Sequence, residues 1–260
     1  MVNLLASGVF FSGFVKDMLC LPRPLSPPLQ RITRSHSAAL EYGFPSTHST
    51  NAVSVAVYAI YNLNTTTRPM TWQENVFLQA LTYLYVFSIC IGRLYCGMHG
   101  FFDVVFGSAL GAALAVLQCV YGERFDHWIM AGPFYNTLII CVICLILVRV
   151  HPEPADDCPC FDDSVAFAGV LMGLQVGNWH FEQSGYASNS PVLGAVPFSL
   201  HKIGLLKAIL RLIIGVVVIF AWRAIAKPTL LKVLPPFFRV IEQLGLTLPR
   251  AFHLRASYVL

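Results

Sequence analysis

His99 and Asp103 stand four residues apart where an apolar run begins, in the segment Met98-His99-Gly100-Phe101-Phe102-Asp103. On a helix that spacing puts both side chains on one face, where the carboxylate accepts a hydrogen bond from one ring nitrogen. The other nitrogen is then a fixed nucleophile or base, the base-and-orienter arrangement of a serine protease with the imidazole itself free to attack. A carboxylate in an apolar helix is costly and normally partnered, so the bland reading of Asp103 is a buried hydrogen bond that pins a loop. A second histidine, His48, follows Pro45, Ser46 and Thr47 at a helix start, where free backbone N–H groups and the positive end of the helix dipole favour an anion. Alone, it would read as a cap or a packing residue. Lys16, Arg23 and Arg93 would each, alone, be solvated or in contact with lipid headgroups. Two histidines, a carboxylate, three cations and a helix N-terminus have one simple shared target, a phosphate group.

Whether these residues meet depends on the elements that carry them. Only 12% of the 260 residues are charged, against roughly 25% in an ordinary soluble domain. Hydrophobic residues reach 56% and mean hydropathy is +0.65, which marks an integral membrane protein. A spanning helix needs about 20 mostly apolar residues. Such runs occur at 1–15, 47–63, 76–91, 101–121, 133–150, 165–181 and 208–226, so the fold class is an all-α polytopic bundle of about seven spanning helices. Run 1–15 lacks the basic start of a signal peptide and reads as the latter part of a spanning helix. The start of run 47–63 is polar, with Thr47, His48, Ser49, Thr50, Asn51 and Ser54, and must face protein or water rather than lipid. If successive runs cross alternately, 47–63 leaves the side on which 16–46 lies and 76–91 returns to it. The link 92–100 therefore emerges beside 16–46, and the catalytic loops gather at one membrane face. A transporter or channel would instead place its polar groups near mid-bilayer, beside broken helices.

The remaining features carry less chemistry. The net charge of +4 resides in 227–260, leaving the rest neutral, which removes a nucleic-acid reading based on a basic footprint. Cys90, Cys119, Cys141 and Cys144 fall in apolar runs and read as packing residues. Cys158 and Cys160 are better placed to bond, yet a C-P-C bridge is strained, and reduced thiols are expected. The loop 151–164 holds Glu153, Asp156, Asp157, Asp162 and Asp163 without a Lys or Arg, and reads as a solvated acidic loop, with cation binding as the sharper alternative. Pro228, Pro235, Pro236 and Pro249 interrupt the tail, which is expected to form short amphipathic pieces at the interface, Phe237, Phe238 and Ile241 inward and Lys232 and Arg239 toward headgroups. The division of the chain is then 1–121 for the catalytic core, 122–226 for additional helices and 227–260 for the basic tail.

Three segments carry a resemblance. The first is Lys16-Asp17-Met18-Leu19-Cys20-Leu21-Pro22-Arg23-Pro24, the second Pro45-Ser46-Thr47-His48, and the third runs from Gly92-Arg93 through His99 to Asp103. In order and spacing they resemble the signature of the type 2 phosphatidic acid phosphatase superfamily, which includes vanadium haloperoxidases. One signature position departs, Gly92 standing where a Ser is usual, which removes a supplementary phosphate donor. Within the superfamily, residues 16 to about 121 are similar to fungal sphingoid long-chain base phosphate phosphatases, relatives of the sphingosine-1-phosphate phosphatases.

The resemblance implies a phosphoric monoester hydrolase acting on sphingoid base 1-phosphates within the bilayer. His99 would be the nucleophile, Asp103 its orienter and His48 the acid and base. Lys16, Arg23, Ser46, Thr47 and Arg93 would bind the phosphate, with no metal and no cofactor. It also implies endoplasmic reticulum residence with a luminal site. A broader lipid phosphate or polyisoprenyl pyrophosphate phosphatase is the alternative, and a non-catalytic lipid-binding relative is a third reading, against which the paired histidines argue. The family core has two spanning helices before the first motif, whereas this chain has room for part of one before Lys16, so an N-terminally shortened form is expected. The sequon Asn64-Thr65-Thr66 falls on the side opposite the site and would be cytosolic. Seven crossings put the basic tail on the catalytic side, which a cytosolic tail and a luminal site do not allow, so the helix count is expected to change by one.

Overall fold

The computed structural model describes residues 1–26, 28–33, 40–65, 70–156, 158–185 and 199–244. These fold into helices α1 (Val2–Leu19), α2 (Thr47–Thr65), α3 (Trp72–Tyr95), α4 (Phe101–Met130), α5 (Phe134–Val150), α6 (Cys160–Gln183), the short α7 (Leu200–Ile203) and α8 (Leu205–Gln243). No strand occurs among the described residues. Four segments, α1, α3, α4 and Leu205–Ile241 within α8, are long and apolar enough to cross a membrane, and the chain is a polytopic membrane bundle. α3 is the clearest case, because it is apolar and has no buried residue. An apolar surface of that extent is stable only against lipid or another chain.

Helix ends explain where the site residues fall. α1 runs on through Lys16 and Asp17 and stops at Cys20, whose φ of 49° is left-handed. Lys16 is thus helical rather than the first residue of a loop, a charge the helix can bury because an acid meets it. Ser46 accepts a hydrogen bond from the Ser49 N–H and caps α2. Thr71 and Glu74 form a reciprocal capping box at the start of α3. α4 begins only at Phe101, with Gly100 at the cap position, so His99 lies ahead of the helix and not on a common helical face with Asp103. The turn before it needs Gly97 at φ +62°, where a Cβ would also strike the Gln30 carbonyl.

Close packing draws α2 and α4 together. A Cβ at Gly107 would strike the backbone of Ser46, and one at Gly111 the backbone of Thr50. Facing them, Ser49, Thr50, Ala52 and Ser54 of α2 are buried. Small residues on both helices let the backbones approach where lipid supplies no hydrophobic drive for association. This contact fixes the start of α2 beside the start of α4. Ser12 of α1 donates to Thr47 Oγ1 at 2.9 Å and joins a third helix to the same end.

The structure divides into two compact units, one containing α1 to α6 and the other α7 and α8. Two expectations are corrected here. α8 continues through Pro228, Pro235 and Pro236 instead of breaking into pieces. A proline costs its own N–H and crowds the carbonyl four residues back, but helix keeps the remaining backbone satisfied in an apolar setting, and beside Pro228 the Thr229 hydroxyl donates to the Ile225 carbonyl. Cys158 and Cys160 are joined in a disulfide rather than reduced. Asp157 of the acidic loop and Thr66 of the sequon lie outside the described residues.

Candidate active site

Lys16 and Arg23 converge on one carboxylate, that of Glu41. Lys16 Nζ lies 3.0 Å and Arg23 Nη2 3.1 Å from Glu41 Oε2, and both cations are almost wholly buried. Arg23 Nε also donates to the Glu41 carbonyl at 2.8 Å. Burial alone would raise the Glu41 carboxyl, but Lys16 and then Arg23 outweigh it and hold the group below the ordinary carboxylate range. Sequence reasoning missed Glu41. Only two acids occur in 16–46, Asp17 and Glu41, so the need of two buried cations for an anion was a usable signal.

Arg23 ties this ion-pair group to His99. Its Nη1 donates to the Met98 carbonyl at 2.7 Å and lies 3.2 Å from His99 Nε2. The other ring nitrogen, Nδ1, is 2.8 Å from the Gly43 carbonyl. A guanidinium only donates and a carbonyl only accepts, so these two partners assign the proton to Nδ1 and the lone pair to Nε2. Asp103 Oδ2 stands 3.7 Å from Nδ1, an ion-pair distance, and accepts the Gly100 N–H at 2.7 Å. The ring is therefore oriented first by a backbone carbonyl, which no side-chain motif can reveal, and then by the carboxylate. His99 is 3% exposed. Burial pushes its imidazole below the ordinary value, Asp103 opposes this, and the Arg23 and Lys16 charges add to the lowering.

The second motif joins from the other side. The Ser46 N–H donates to the Asp103 carbonyl at 2.9 Å, which locks the start of α2 to the first turn of α4. The Ser46 hydroxyl is turned inward, accepting from Ser49 Oγ at 3.0 Å. His48 is exposed at the start of α2 and lines a cavity of about 300 Å³ together with Lys16, Glu41, Thr47 and Asp163. Arg93, half-buried in the last turn of α3, makes no side-chain hydrogen bond or ion pair among the described residues. Its charge reaches both His48 and Arg23. The structure thus brings Lys16, Arg23, His99, Asp103 and Ser46 into one bonded group, with His48 and Thr47 at the cavity beside it and Arg93 as a cation without a bound counter-charge.

The acidic loop borders this group. Tyr42 donates from its hydroxyl to Asp156 Oδ2 at 3.3 Å and accepts the Asp156 N–H at 3.0 Å. Tyr42, Cys158 and Cys160 form a buried cluster. Asp17 is fully buried, 3.8 Å from His151 Nδ1, and its carboxylate lies within 4.8 Å of the sulfurs of Cys158 and Cys160. With the sulfurs bonded to each other, that group offers no thiolate pair to a metal.

Buried cations around a histidine whose Nε2 carries the lone pair, a second histidine at a helix start, and a carboxylate behind the first form an arrangement suited to phosphoryl transfer. Residues 1–125 match the model of the PAP2 superfamily. They form a PAP2 superfamily domain. All eight candidate site residues lie inside this PAP2 domain, whose match ends within α4. The chain is similar to a dihydrosphingosine 1-phosphate phosphatase of Schizosaccharomyces pombe, with 41% identity over 92% of this chain and 57% of that protein. A dihydrosphingosine 1-phosphate phosphatase of Saccharomyces cerevisiae is 32% identical over 88% of this chain and 54% of its own length. Human sphingosine-1-phosphate phosphatase 2 is 30% identical over 90% of this chain and 58% of its length. The chain thus spans rather more than half the length of these curated relatives. No solved structure matches it.

Proposed function

We propose that the PAP2 domain hydrolyses sphingoid base 1-phosphates through a phosphohistidine, without a metal. The observation that carries this reading is the pair of partners on the His99 ring, the Gly43 carbonyl at Nδ1 and Arg23 at Nε2, which puts the proton on Nδ1 and turns the Nε2 lone pair to the cation group. Nε2 attacks phosphorus, the bond from phosphorus to the ester oxygen breaks, and His48 gives its proton to the departing alkoxide. Water then attacks phosphorus, the P–N bond breaks, and His48 takes the proton of that water. Asp103 and the Gly43 carbonyl stabilise the charge that appears on the ring. Lys16, Arg23 and Arg93 neutralise the phosphoryl oxygens, the role that Mg²⁺ plays in kinases, and Ser46 and Thr47 bring the free N–H groups of the α2 start to the same anion. Arg23 must leave Nε2 for the phosphate before attack, so substrate binding itself uncovers the nucleophile.

Residues 1–121 carry this chemistry in our reading, with 122–226 as further helices and 227–260 as a tail. The substrate is a lipid because the site lies at the ends of apolar helices, at headgroup depth, and the names of the similar proteins favour a sphingoid base. We place the protein in the endoplasmic reticulum membrane with the site toward the lumen. Asn64 lies at the far end of α2 from His48, so a glycan on Asn64 would reverse that orientation. The test of function is phosphate release from dihydrosphingosine 1-phosphate by the detergent-solubilised chain, with phosphatidate as competitor and EDTA present. Release that favours the sphingoid lipid is expected. Faster release from phosphatidate would make the enzyme a general lipid phosphate phosphatase.

A further inference from the structure

We propose that Asp163 receives the ammonium group of the sphingoid substrate and so separates it from lipid phosphates that carry no cation. This rests on the phosphatase reading above and assigns a specificity residue to it. In a sphingoid base 1-phosphate the ammonium is on the carbon next to the one esterified to phosphate. When the phosphoryl group sits among Lys16, Arg23 and Arg93, a fourth positive charge must lie beside them. Like charges at that range repel, and a partly enclosed site strengthens the repulsion. A carboxylate has to face the ammonium for the pair to be accommodated.

Two carboxylates border the cavity that contains Lys16 and His48, those of Glu41 and Asp163. Glu41 is committed, since Lys16 and Arg23 both close on its Oε2. Asp163 lies in the first turn of α6, and its carboxylate makes no hydrogen bond or ion pair among the described residues. It enters the cavity from a different element than the phosphate-binding cations, which all lie at or before Arg93 in the chain. Apart from Thr47, Asn51 and Tyr85, the remaining wall is apolar, with Val9, Ala52, Ile89 and Phe167, and gives the alkyl chain its contact. Lys16, the member of the cation group that lines the cavity, the Asp163 carboxylate and the apolar wall thus match phosphate, ammonium and chain of one zwitterionic lipid. The position of α6 at this end of the bundle is fixed independently, by Gly13 of α1, whose Cβ would strike the Ser164 hydroxyl.

The experiment compares dihydrosphingosine 1-phosphate with hexadecyl phosphate, a monoester with a single chain and no amine, in the wild-type chain and in Asp163→Asn and Asp163→Glu. The readout is the ratio of kcat/KM for the two lipids. The wild type is expected to favour the sphingoid lipid, Asp163→Asn to lower that ratio about tenfold, as loss of a charged hydrogen bond would, and Asp163→Glu to retain most of it. A general defect in folding lowers both rates and leaves the ratio unchanged. An unchanged ratio in Asp163→Asn overturns the assignment while leaving the phosphatase reading intact. Hydrolysis of neither lipid by the wild type overturns the phosphatase reading and this subsite with it.

Discussion

Arg23 Nη1 stands 3.2 Å from His99 Nε2, so the nitrogen that carries the lone pair is covered by a guanidinium. The same side chain reaches the Met98 carbonyl and both oxygens offered by Glu41, one backbone and one carboxylate. A planar fork is needed to satisfy four acceptors at once, and a lysine cannot do so. Arg23→Lys is therefore expected to lower kcat/KM for a lipid phosphate about 100-fold, the scale for losing one preorganised donor of a charged transition state. A variant within threefold of wild type would show that only the charge matters.

Glu41 is the anion on which two buried cations depend. Glu41→Gln leaves Lys16 and Arg23 without a counter-charge, at a cost of about 3–5 kcal/mol. The expected outcome is a clear fall in the thermal midpoint, measured in detergent by intrinsic fluorescence. Orthophosphate supplies the missing anion and should raise the midpoint more in the variant than in wild type. Equal phosphate shifts in the two proteins would count against shared use of these cations by Glu41 and the substrate.

The pH profile follows from the environment of His99. Burial holds its pKa below the ordinary imidazole value of about 6.5, so the ring is neutral at pH 7 and competent as a nucleophile. On the acid side, activity should fall once pH drops below that value, where the ring takes up a proton. Asp103 acts in the opposite sense and raises the pKa. Asp103→Asn should then move the acid limb of kcat/KM to lower pH while reducing the maximum, about 10-fold to 100-fold, because the Gly43 carbonyl still fixes the tautomer. Titration of the substrate phosphate is common to both proteins and cancels in the comparison. A shift of the limb to higher pH would reverse the role given to Asp103.

The α2–α4 contact admits a test of the scaffold apart from chemistry. At Gly111 a Cβ has no room against the Thr50 backbone, so Gly111→Leu should force the helices apart and yield a chain that is poorly monodisperse in detergent. The same change at Gly173, where nothing lies within 4 Å, should leave the elution profile unaltered. Similar behaviour of the two variants would argue against close packing at Gly111.

The candidate site residues were legible in the sequence because phosphoryl chemistry requires particular side chains at particular spacings, and because alternating crossings bring 16–46 beside 92–100. What the spacing did not give was the path of the backbone. His99 and Asp103 suggested one helical face, whereas Gly97 and Gly100 form a turn and cap that leave His99 outside α4. Both glycines were visible as signals. The Gly43 carbonyl that accepts from His99 carries no side-chain signature, and Glu41 belongs to no motif, although charge balance pointed to it. The prolines of α8 read as breaks because a sequence shows the lost N–H but not the helix-favouring setting on either side.

The most direct measurement of the central claim is the covalent state of His99 during turnover. The chain carrying His48→Ala should be mixed with a lipid phosphate, quenched in alkali, which preserves phosphohistidine, and mapped by mass spectrometry. In the proposed mechanism protonation of the leaving group and activation of water both fall to His48, so the variant should be slow yet hold phosphate on a peptide containing His99, and His48→Ala with His99→Ala should hold none. Phosphate on no histidine, together with turnover that survives His99→Ala, would contradict attack by His99 Nε2.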